Sequence, residues 1–157
     1  CIAVDPYFIV DAAPEETLLM QSARRINNDR PRSVAAEVMK AAKGKDVAIA
    51  CLGLAFKPNI DDLRESPAIE VVRLLAEAKV GRILAAEPNA DELPEELSRL
   101  GVEFCDALTA IDRADIVVLL VDHRQFELID PAALRGKALI DTRGLWTWRK
   151  ARRGAAA

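Results

Sequence analysis

Three cationic side chains lie after predicted strands of this chain and could bind one anion together. Lys57 and Arg64 belong to the long segment 53–65, and Arg143 belongs to the segment 142–146 near the end of the sequence. Cationic side chains beside helix N-termini are a common arrangement for binding phosphate. We therefore predict that Lys57, Arg64 and Arg143 converge on a phosphate-bearing ligand.

The segment 53–65 also carries acids that could neutralise its own cations. Asp61, Asp62 and Glu65 stand within a few residues of Lys57 and Arg64, so the segment could instead be a solvated surface with internal ion pairs. Loops between a strand and a helix usually run about 2–6 residues, and longer ones are usually functional or disordered. The apolar residues of this segment argue against disorder, and both interpretations stay open here.

Cysteine and histidine are the other residue types that could carry chemistry. The three cysteines lie about 50 residues apart without a Cys-x-x-Cys pair, so neither a metal site nor a disulfide framework is expected. The same pattern fits a reducing, cytoplasmic compartment. We predict Cys51 and Cys105 to be small buried hydrophobic residues, and His123 to be a structural residue at a strand end.

Cys1 admits two interpretations, because the chain begins with cysteine and has no signal-peptide layout. It could be an N-terminal nucleophile that uses its own amine as the base. Alternatively, the sequence is a piece of a longer protein in which this cysteine is internal. The parallel α/β pattern described next disfavours the first interpretation.

Hydrophobic patterning indicates which elements position these side chains. Short apolar runs predict strands over 47–52, 82–86, 102–104, 116–121 and 138–141. Helical patterns between them predict a doubly wound, Rossmann-like α/β domain with a parallel sheet. Ligands of such sheets bind outside the carboxyl ends of the strands, which is where Lys57 and Arg143 fall.

Helix signals surround the predicted strands. Ser66-Pro67 is expected to begin a helix that Gly81 ends, and residues 91–100 and 106–111 are predicted helices. Pro131 to Leu134 is a predicted helical turn.

The region before the first strand is predicted to be a helical arm. Pro14 has the features of a helix start, Pro31 is expected to interrupt the helix, and Ser33 is expected to cap a second one. Residues 1–13 show no clear period. The predicted organisation is an arm over 1–43, an α/β domain over 44–148 and a disordered tail over 149–157. The apolar face of the arm needs a partner, either this domain or another subunit.

Composition excludes several classes of protein. Of the 157 residues, 51% are hydrophobic and 30% are charged, which excludes disordered and collagen-like chains. Charges interrupt every apolar run before the about 18 residues that a membrane span needs. The net charge of −3 argues against a general nucleic-acid binder. No Gly-x-Gly-x-x-Gly follows the first strand, so side chains would have to bind any nucleotide.

Five motifs resemble one enzyme family. They are Cys1-Ile2-Ala3-Val4-Asp5-Pro6-Tyr7-Phe8, Ala23-Arg24-Arg25-Ile26-Asn27-Asn28, residues 53–68, Val121-Asp122-His123 and Asp141-Thr142-Arg143-Gly144. Together they resemble the C-terminal part of the UDP-glucose/GDP-mannose dehydrogenase family, and most of all its branch acting on UDP-N-acetyl-D-mannosamine. The resemblance spans residues 1–148, and the motif at 53–68 is its most specific part.

The resemblance implies an NAD-dependent enzyme that oxidises the C6 alcohol of a UDP-sugar to a carboxylate through a cysteine thiohemiacetal and thioester. Cys1 matches the family's catalytic cysteine, and Asp5 matches the aspartate that assists it. The residues that match substrate contacts are Phe56, Lys57 and Arg143, and Arg64 matches a residue near the NAD cofactor.

The same resemblance implies partners that this sequence does not contain. An NAD-binding domain would precede Cys1, and the helical arm would help to form a homodimer. The 157-residue chain is then expected to be inactive alone. A free-standing nucleotide-binding regulatory module is the alternative, and the coding sequence upstream of Cys1 would distinguish the two.

Overall fold

The computed structural model describes residues 4–44 and 46–146, so the predicted tail over 149–157 lies outside the described residues. The elements in chain order are α1 (Asp5–Ala12), α2 (Leu18–Ala42), β1 (Val47–Leu52), α3 (Pro67–Glu77), β2 (Gly81–Ala86), α4 (Glu95–Arg99), β3 (Glu103–Phe104), α5 (Ala107–Arg113), β4 (Ile116–Leu119), α6 (Arg124–Glu127), a 3₁₀ turn (Pro131–Leu134) and β5 (Ala138–Asp141).

The strands form one five-stranded sheet in the order β3-β2-β1-β4-β5, with every neighbouring pair parallel. In the central strand, Ile49 lies opposite Ile83 of β2 on one side and Ile116 of β4 on the other. The chain therefore builds outward from β1 to β3 and then returns to add β4 and β5 on the opposite side. This topology confirms the predicted doubly wound α/β fold.

Helices cover both faces of the sheet. Alternate strand residues such as Ile49 and Cys51 face a core that includes residues of α2, α3 and α4. Their neighbours Ala50 and Leu52 face a second core, which α5, α6 and Trp146 complete. Strands buried on both faces are apolar at every position instead of at alternate ones, and this explains the unbroken apolar runs of the sequence.

Helix α2 continues through Pro31, whereas the sequence predicted two helices separated there. Proline has no amide hydrogen to donate to the carbonyl of Asn27, and a proline inside a helix costs about 3 kcal/mol. Val34 and Val38 are nevertheless buried against the sheet and α3. Because tertiary packing supplies most helix stability in proteins, it outweighs this local cost.

The N-terminal region contains a helix that the sequence pattern did not show. Residues 5–12 form α1, with Pro6 in its first turn, and the predicted start at Pro14 is part of a turn before α2. The side-chain amide of Asn28 donates to the Tyr7 hydroxyl over 2.6 Å, which joins α1 to α2. Apolar side chains remain exposed on both helices, including Phe8, Leu19 and Ile26.

Gly81 opens β2 instead of ending the preceding helix. Helix α3 ends at Glu77, and Lys79 makes the turn in a left-handed conformation with φ of 51°. A Cβ atom added at Gly81 would lie 2.0 Å from the carbonyl oxygen of Val47. Glycine is therefore required here by the close approach of β1 and β2.

Two shorter differences concern helix length. Helix α4 covers the five residues after Pro94, instead of the predicted 91–100, and α6 forms where no helix was predicted.

The part of the chain that the structure describes has no helix with the length and hydrophobicity of a membrane span.

Candidate functional site

A cleft of about 310 Å³ opens at the carboxyl ends of β1, β4 and β5. We call it the switch-point cleft, because it lies where the strand order reverses between β1 and β4. Its lining residues from the sheet side are 55–58, 120–121 and 142–143; those from the helices are Asn27, Arg30, Pro31 and Val34 of α2 and Pro67, Ala68 and Val71 of α3. Open parallel sheets bind ligands at this position.

The lining of the switch-point cleft favours an anion. Arg30, Lys57 and Arg143 contribute cationic side chains, and no acidic residue lines the cleft among the residues that the structure describes. The N-terminus of α3 also reaches it, where Ser66 caps the helix by accepting a hydrogen bond from the amide of Ala68 over 3.2 Å. A helix N-terminus adds partial positive charge to its surroundings.

Phe56 and Lys57 enter the cleft together from the β1–α3 loop, which comprises residues 53–66. The Lys57 ammonium lies 5.6 Å from the centroid of the Phe56 ring, a cation–π distance. The amide of Phe56 donates to the carbonyl oxygen of Asp62 over 2.8 Å and closes the loop on itself. An apolar ring and a cation therefore stand side by side on one wall.

Arg143 lies in the segment that follows β5 and also lines the cleft. Its Nε donates to Oδ1 of Asp122 over 2.7 Å, and its side chain is 47% exposed. The Asp141 carboxylate accepts hydrogen bonds from the amides of Arg143, Gly144 and Trp146 over 3.2, 2.7 and 2.8 Å. Asp141 thus fixes the backbone that carries Arg143 to the rim of the cleft.

Arg64 does not join this group of cations. It forms a bidentate pair with Asp62, with both nitrogen–oxygen distances at 2.9 Å, and its side chain is 87% exposed. Hydrogen bonds from Arg64 lower the pKa of Asp62 to about 2. Arg64 lines an adjacent groove between α2 and α3, which we call the α2–α3 groove.

The structure brings Lys57 and Arg143 together at one cleft and places Arg64 outside its lining. The binding of one anion by these cations stays a prediction. The ion-pair interpretation of the loop applies to Arg64 and Asp62. Phe56, Asn27, Pro31 and Pro67 line both the switch-point cleft and the α2–α3 groove, so the two cavities adjoin each other.

A buried polar cluster at the ends of β2 and β4 holds the loop from behind. We call Glu87, Asn89 and His123 the anchor cluster. The side chains of Glu87 and His123 are fully buried, and His123 Nε2 lies 3.0 Å from Oε2 of Glu87. The amides of Leu54 and Ala55 donate to the same carboxylate oxygen over 2.7 and 3.0 Å.

The hydrogen bonds at His123 define its tautomer. The amide of Asn59 and the side-chain amide of Asn89 each lie 2.9 Å from Nδ1. Because both groups are donors, Nδ1 must be the acceptor and the proton sits on Nε2, where it is donated to Glu87. Complete burial and a full set of partners agree with the predicted structural role of His123.

Sequence reasoning missed Glu87 as part of this site. The signal available was an acid directly after the apolar strand 82–86 and before Pro88. An ionisable residue at that position is rarely buried without a partner, but the partner, His123, lies 36 residues away in the chain.

The cysteine predictions have different outcomes. Cys1, the predicted nucleophile, lies outside the described residues, and Asp5 is exposed at the start of α1 and does not line the cleft. Cys51 is fully buried, and burial raises its pKa to about 12. Cys105 is only half-buried instead of buried, and desolvation also raises its pKa.

Comparison with known sequences identifies the region that carries the cleft. The family model for the UDP-glucose/GDP-mannose dehydrogenase family, UDP binding domain, matches residues 50–147. An NDP-N-acetyl-D-galactosaminuronic acid dehydrogenase from Ralstonia nicotianae is 52% identical over 94% of this chain and 34% of its own length. A UDP-N-acetyl-D-mannosamine dehydrogenase from Yersinia pestis is 46% identical over 93% of this chain and 37% of its own length.

Solved structures give the same result for the fold. A UDP-glucose dehydrogenase from Pyrobaculum islandicum superposes with a TM-score of 0.78 at 30% identity, over 96% of this chain and 35% of that protein. A UDP-N-acetyl-mannosamine dehydrogenase from S. aureus has a TM-score of 0.72 at 29% identity, over 92% of this chain and 34% of that protein. The chain spans about a third of the length of the relatives that it matches.

Proposed function

This chain belongs to the UDP-glucose/GDP-mannose dehydrogenase family, and we propose that it is the UDP-binding part of an NAD-dependent nucleotide-sugar 6-dehydrogenase. The observation that carries the proposal is the switch-point cleft, whose described lining includes three cations and no acid. A nucleoside diphosphate has the negative charge and the flat base, able to pack its face on an apolar ring, that such a lining complements.

Phe56, Lys57 and Arg143 are the proposed substrate contacts. Lys57 and Arg143 would bind the diphosphate from two sides, and the half-buried ring of Phe56 offers an apolar surface to the substrate. Arg30 of α2 adds a third cation that sequence reasoning did not select. Charge-assisted hydrogen bonds of this kind orient a substrate as well as bind it.

UDP-N-acetyl-D-mannosamine is the proposed substrate, and its uronic acid is the proposed product. The names of the two curated relatives described above support an N-acetylated amino sugar. In this proposal, two NAD molecules bound by the rest of the parent protein would each accept a hydride. The first hydride would leave the C6 alcohol and give the aldehyde, and the second would leave the thiohemiacetal that the Cys1 thiolate forms with that aldehyde and give a thioester. Water then hydrolyses the thioester to the carboxylate and releases the thiol, with Asp5 assisting the proton transfers.

NAD itself does not fit the described residues of this chain. Strand β1 is followed by the single Gly53 and a long loop, instead of a glycine-rich turn leading directly into a helix. We therefore assign NAD binding to a domain that precedes Cys1 in the parent protein. Arg64, in the α2–α3 groove, stays a predicted contact to the cofactor from this side.

A homodimer and a cytoplasmic location complete the proposal. Exposed apolar side chains on α1 and the first half of α2, which include Phe8, Leu19 and Ile26, support an interface with a second subunit. The cysteine pattern supports a reducing compartment.

Calorimetric titration of UDP into the 157-residue chain tests the proposed site. We expect Lys57→Ala and Arg143→Ala each to weaken UDP binding about tenfold or more, since a hydrogen bond to a charged group contributes about 1.5–3 kcal/mol. The matched control is Arg99→Ala, which removes an exposed cation paired with Glu95 on α4 and should leave UDP affinity unchanged. Absence of UDP binding, or equal affinities in all variants, would contradict the proposal.

A further inference from the structure

The β1–α3 loop is held at both ends of its substrate-facing segment by side chains from elsewhere in the chain. Before Phe56, the amides of Leu54 and Ala55 donate to Glu87. After Lys57, the amide of Asn59 donates to His123. The segment that enters the switch-point cleft is therefore flanked by hydrogen bonds to the anchor cluster, to Glu87 on the side before it and to His123 on the side after it.

Asn59 is fixed more firmly than one hydrogen bond implies. Its backbone has a left-handed φ of 63°, which is uncommon for a residue other than glycine. Its side-chain Oδ1 accepts a hydrogen bond from the amide of Arg124 over 2.9 Å, while its own amide donates to His123 over the same distance. The turn after Lys57 is thus tied to the residues that follow β4.

His123 contacts both Asn59 and Glu87, through opposite edges of its ring. Nδ1 accepts from Asn59 at the far end of the segment, and Nε2 donates to the Glu87 carboxylate at the near end. A neutral imidazole carries one donor and one acceptor in fixed positions. The edge-to-face contact with Phe126, at 5.5 Å between ring centroids, holds the ring in this orientation.

We propose that His123, acting through Glu87 and Asn59, is a positioning residue for nucleotide binding, which keeps Phe56 and Lys57 in the switch-point cleft. The expected effect on nucleotide binding rests on the proposed function. The effect of His123 on the conformation of the loop can be tested without any nucleotide. Neither His123 nor Glu87 lines the cleft, so their effect on binding is indirect.

Two variants of His123 separate its two hydrogen-bonding edges. His123→Asn retains an acceptor near the position of Nδ1 and loses the donor to Glu87, whereas His123→Gln retains a donor near Nε2 and loses the acceptor for Asn59. We expect amide hydrogen exchange of Asn59 to accelerate about tenfold or more in His123→Gln. In His123→Asn the Asn59 amide should stay protected, and the amides of Leu54 and Ala55 should exchange faster.

Leu97→Ala is the control for a general loss of stability. Leu97 is a fully buried residue of α4 that is not part of the anchor cluster, and its truncation leaves a cavity. If His123 were only a core residue, all three variants would raise exchange in the loop in proportion to their loss of global stability. That result, or unchanged Asn59 exchange in His123→Gln, would overturn the inference.

UDP titration of the same variants then tests the consequence. We expect His123→Gln to weaken UDP binding about tenfold, because Lys57 lies beside the released turn, and we expect Leu97→Ala to bind as the wild type does. If the wild-type chain binds no UDP, the proposed function fails while the exchange result still decides the role of His123. If Asn59 exchange accelerates and UDP affinity stays unchanged, the loop is held but nucleotide binding does not depend on it, and the inference is overturned.

Discussion

Glu87 is an ionised side chain whose carboxylate is removed from solvent. Desolvation disfavours its charged form, but hydrogen bonds from His123 and from the amides of Leu54 and Asn89 outweigh desolvation and hold its pKa below the usual value. In dinucleotide-binding domains, an acid at the end of the second strand binds the ribose of the cofactor. Here Glu87 occupies that position and binds the protein's own loop.

The environment of Glu87 predicts a pH dependence of stability. Because its folded-state pKa is lowered, the carboxylate stabilises the fold above the unfolded pKa of about 4.3, and this stabilisation is lost as the pH falls further. We predict that the free energy of unfolding, measured by urea denaturation, declines less steeply below about pH 5 in Glu87→Gln than in the wild type. Glu92→Gln, which changes an exposed acid, is the matched control, and equal slopes in the two variants would contradict the prediction.

The residues of the candidate site differ in how far sequence could identify them. Lys57 and Arg143 lie in the segments that follow apolar strands, so parallel-sheet geometry places them at one edge. The hydrogen bond between Glu87 and His123 depends on which strands become neighbours, and the two residues are 36 positions apart. The pairing of Arg64 with Asp62 depends on loop geometry that local residue preferences do not determine.

At the scale of elements, tertiary packing keeps α2 continuous through a proline that, by local preference, would interrupt the helix. Pro31 lies inside this helix and is itself buried, lining the switch-point cleft. The helix interior continues because the residues after Pro31 are held against the sheet and α3. Sequence reasoning placed the strands well, since doubly buried strands are apolar throughout. It placed helix ends less well, because those depend on turns such as the one at Lys79.

Replacing Pro31 with alanine would show how much the proline destabilises α2. Alanine restores the missing amide and helix propensity, worth about 3 kcal/mol, and gives up part of the buried ring contact, worth about 1–2 kcal/mol. We predict that Pro31→Ala raises the free energy of unfolding by about 1–2 kcal/mol in urea denaturation. Arg32→Ala, at the next and exposed position, should change it by less than about 0.5 kcal/mol. A less stable Pro31→Ala chain would show that the ring contact dominates.

At the scale of the whole molecule, the site depends on topology. The strand order β3-β2-β1-β4-β5 brings together the segments after β1, β4 and β5, which are distant in sequence. The same order places the buried Glu87 on the β2 side, where the described residues offer no glycine-rich turn for a dinucleotide. Under the proposed function, the cofactor would therefore bind outside the residues that the structure describes.

This division predicts binding without turnover. We expect the 157-residue chain, supplied with NAD and UDP-N-acetyl-D-mannosamine, to produce no NADH by ultraviolet absorbance, since it lacks a glycine-rich dinucleotide turn within the described residues. Robust NADH production by this chain alone would contradict the assignment of NAD to a preceding domain. The coding sequence upstream of Cys1 distinguishes a dehydrogenase part from a regulatory module, because only the former requires an NAD-binding domain there.

The anchor cluster also has a consequence for the order of folding. Its hydrogen bonds to the β1–α3 loop join residues 32 to 64 positions apart, from Ala55 with Glu87 to Asn59 with His123. Such contacts form only after the chain between them has closed and β2 and β4 have joined β1. We therefore expect the β1–α3 loop to be among the last segments to acquire its native conformation. If a nucleotide binds there as proposed, we expect it to prolong the lifetime of the folded state by slowing unfolding and to leave the rate of folding nearly unchanged.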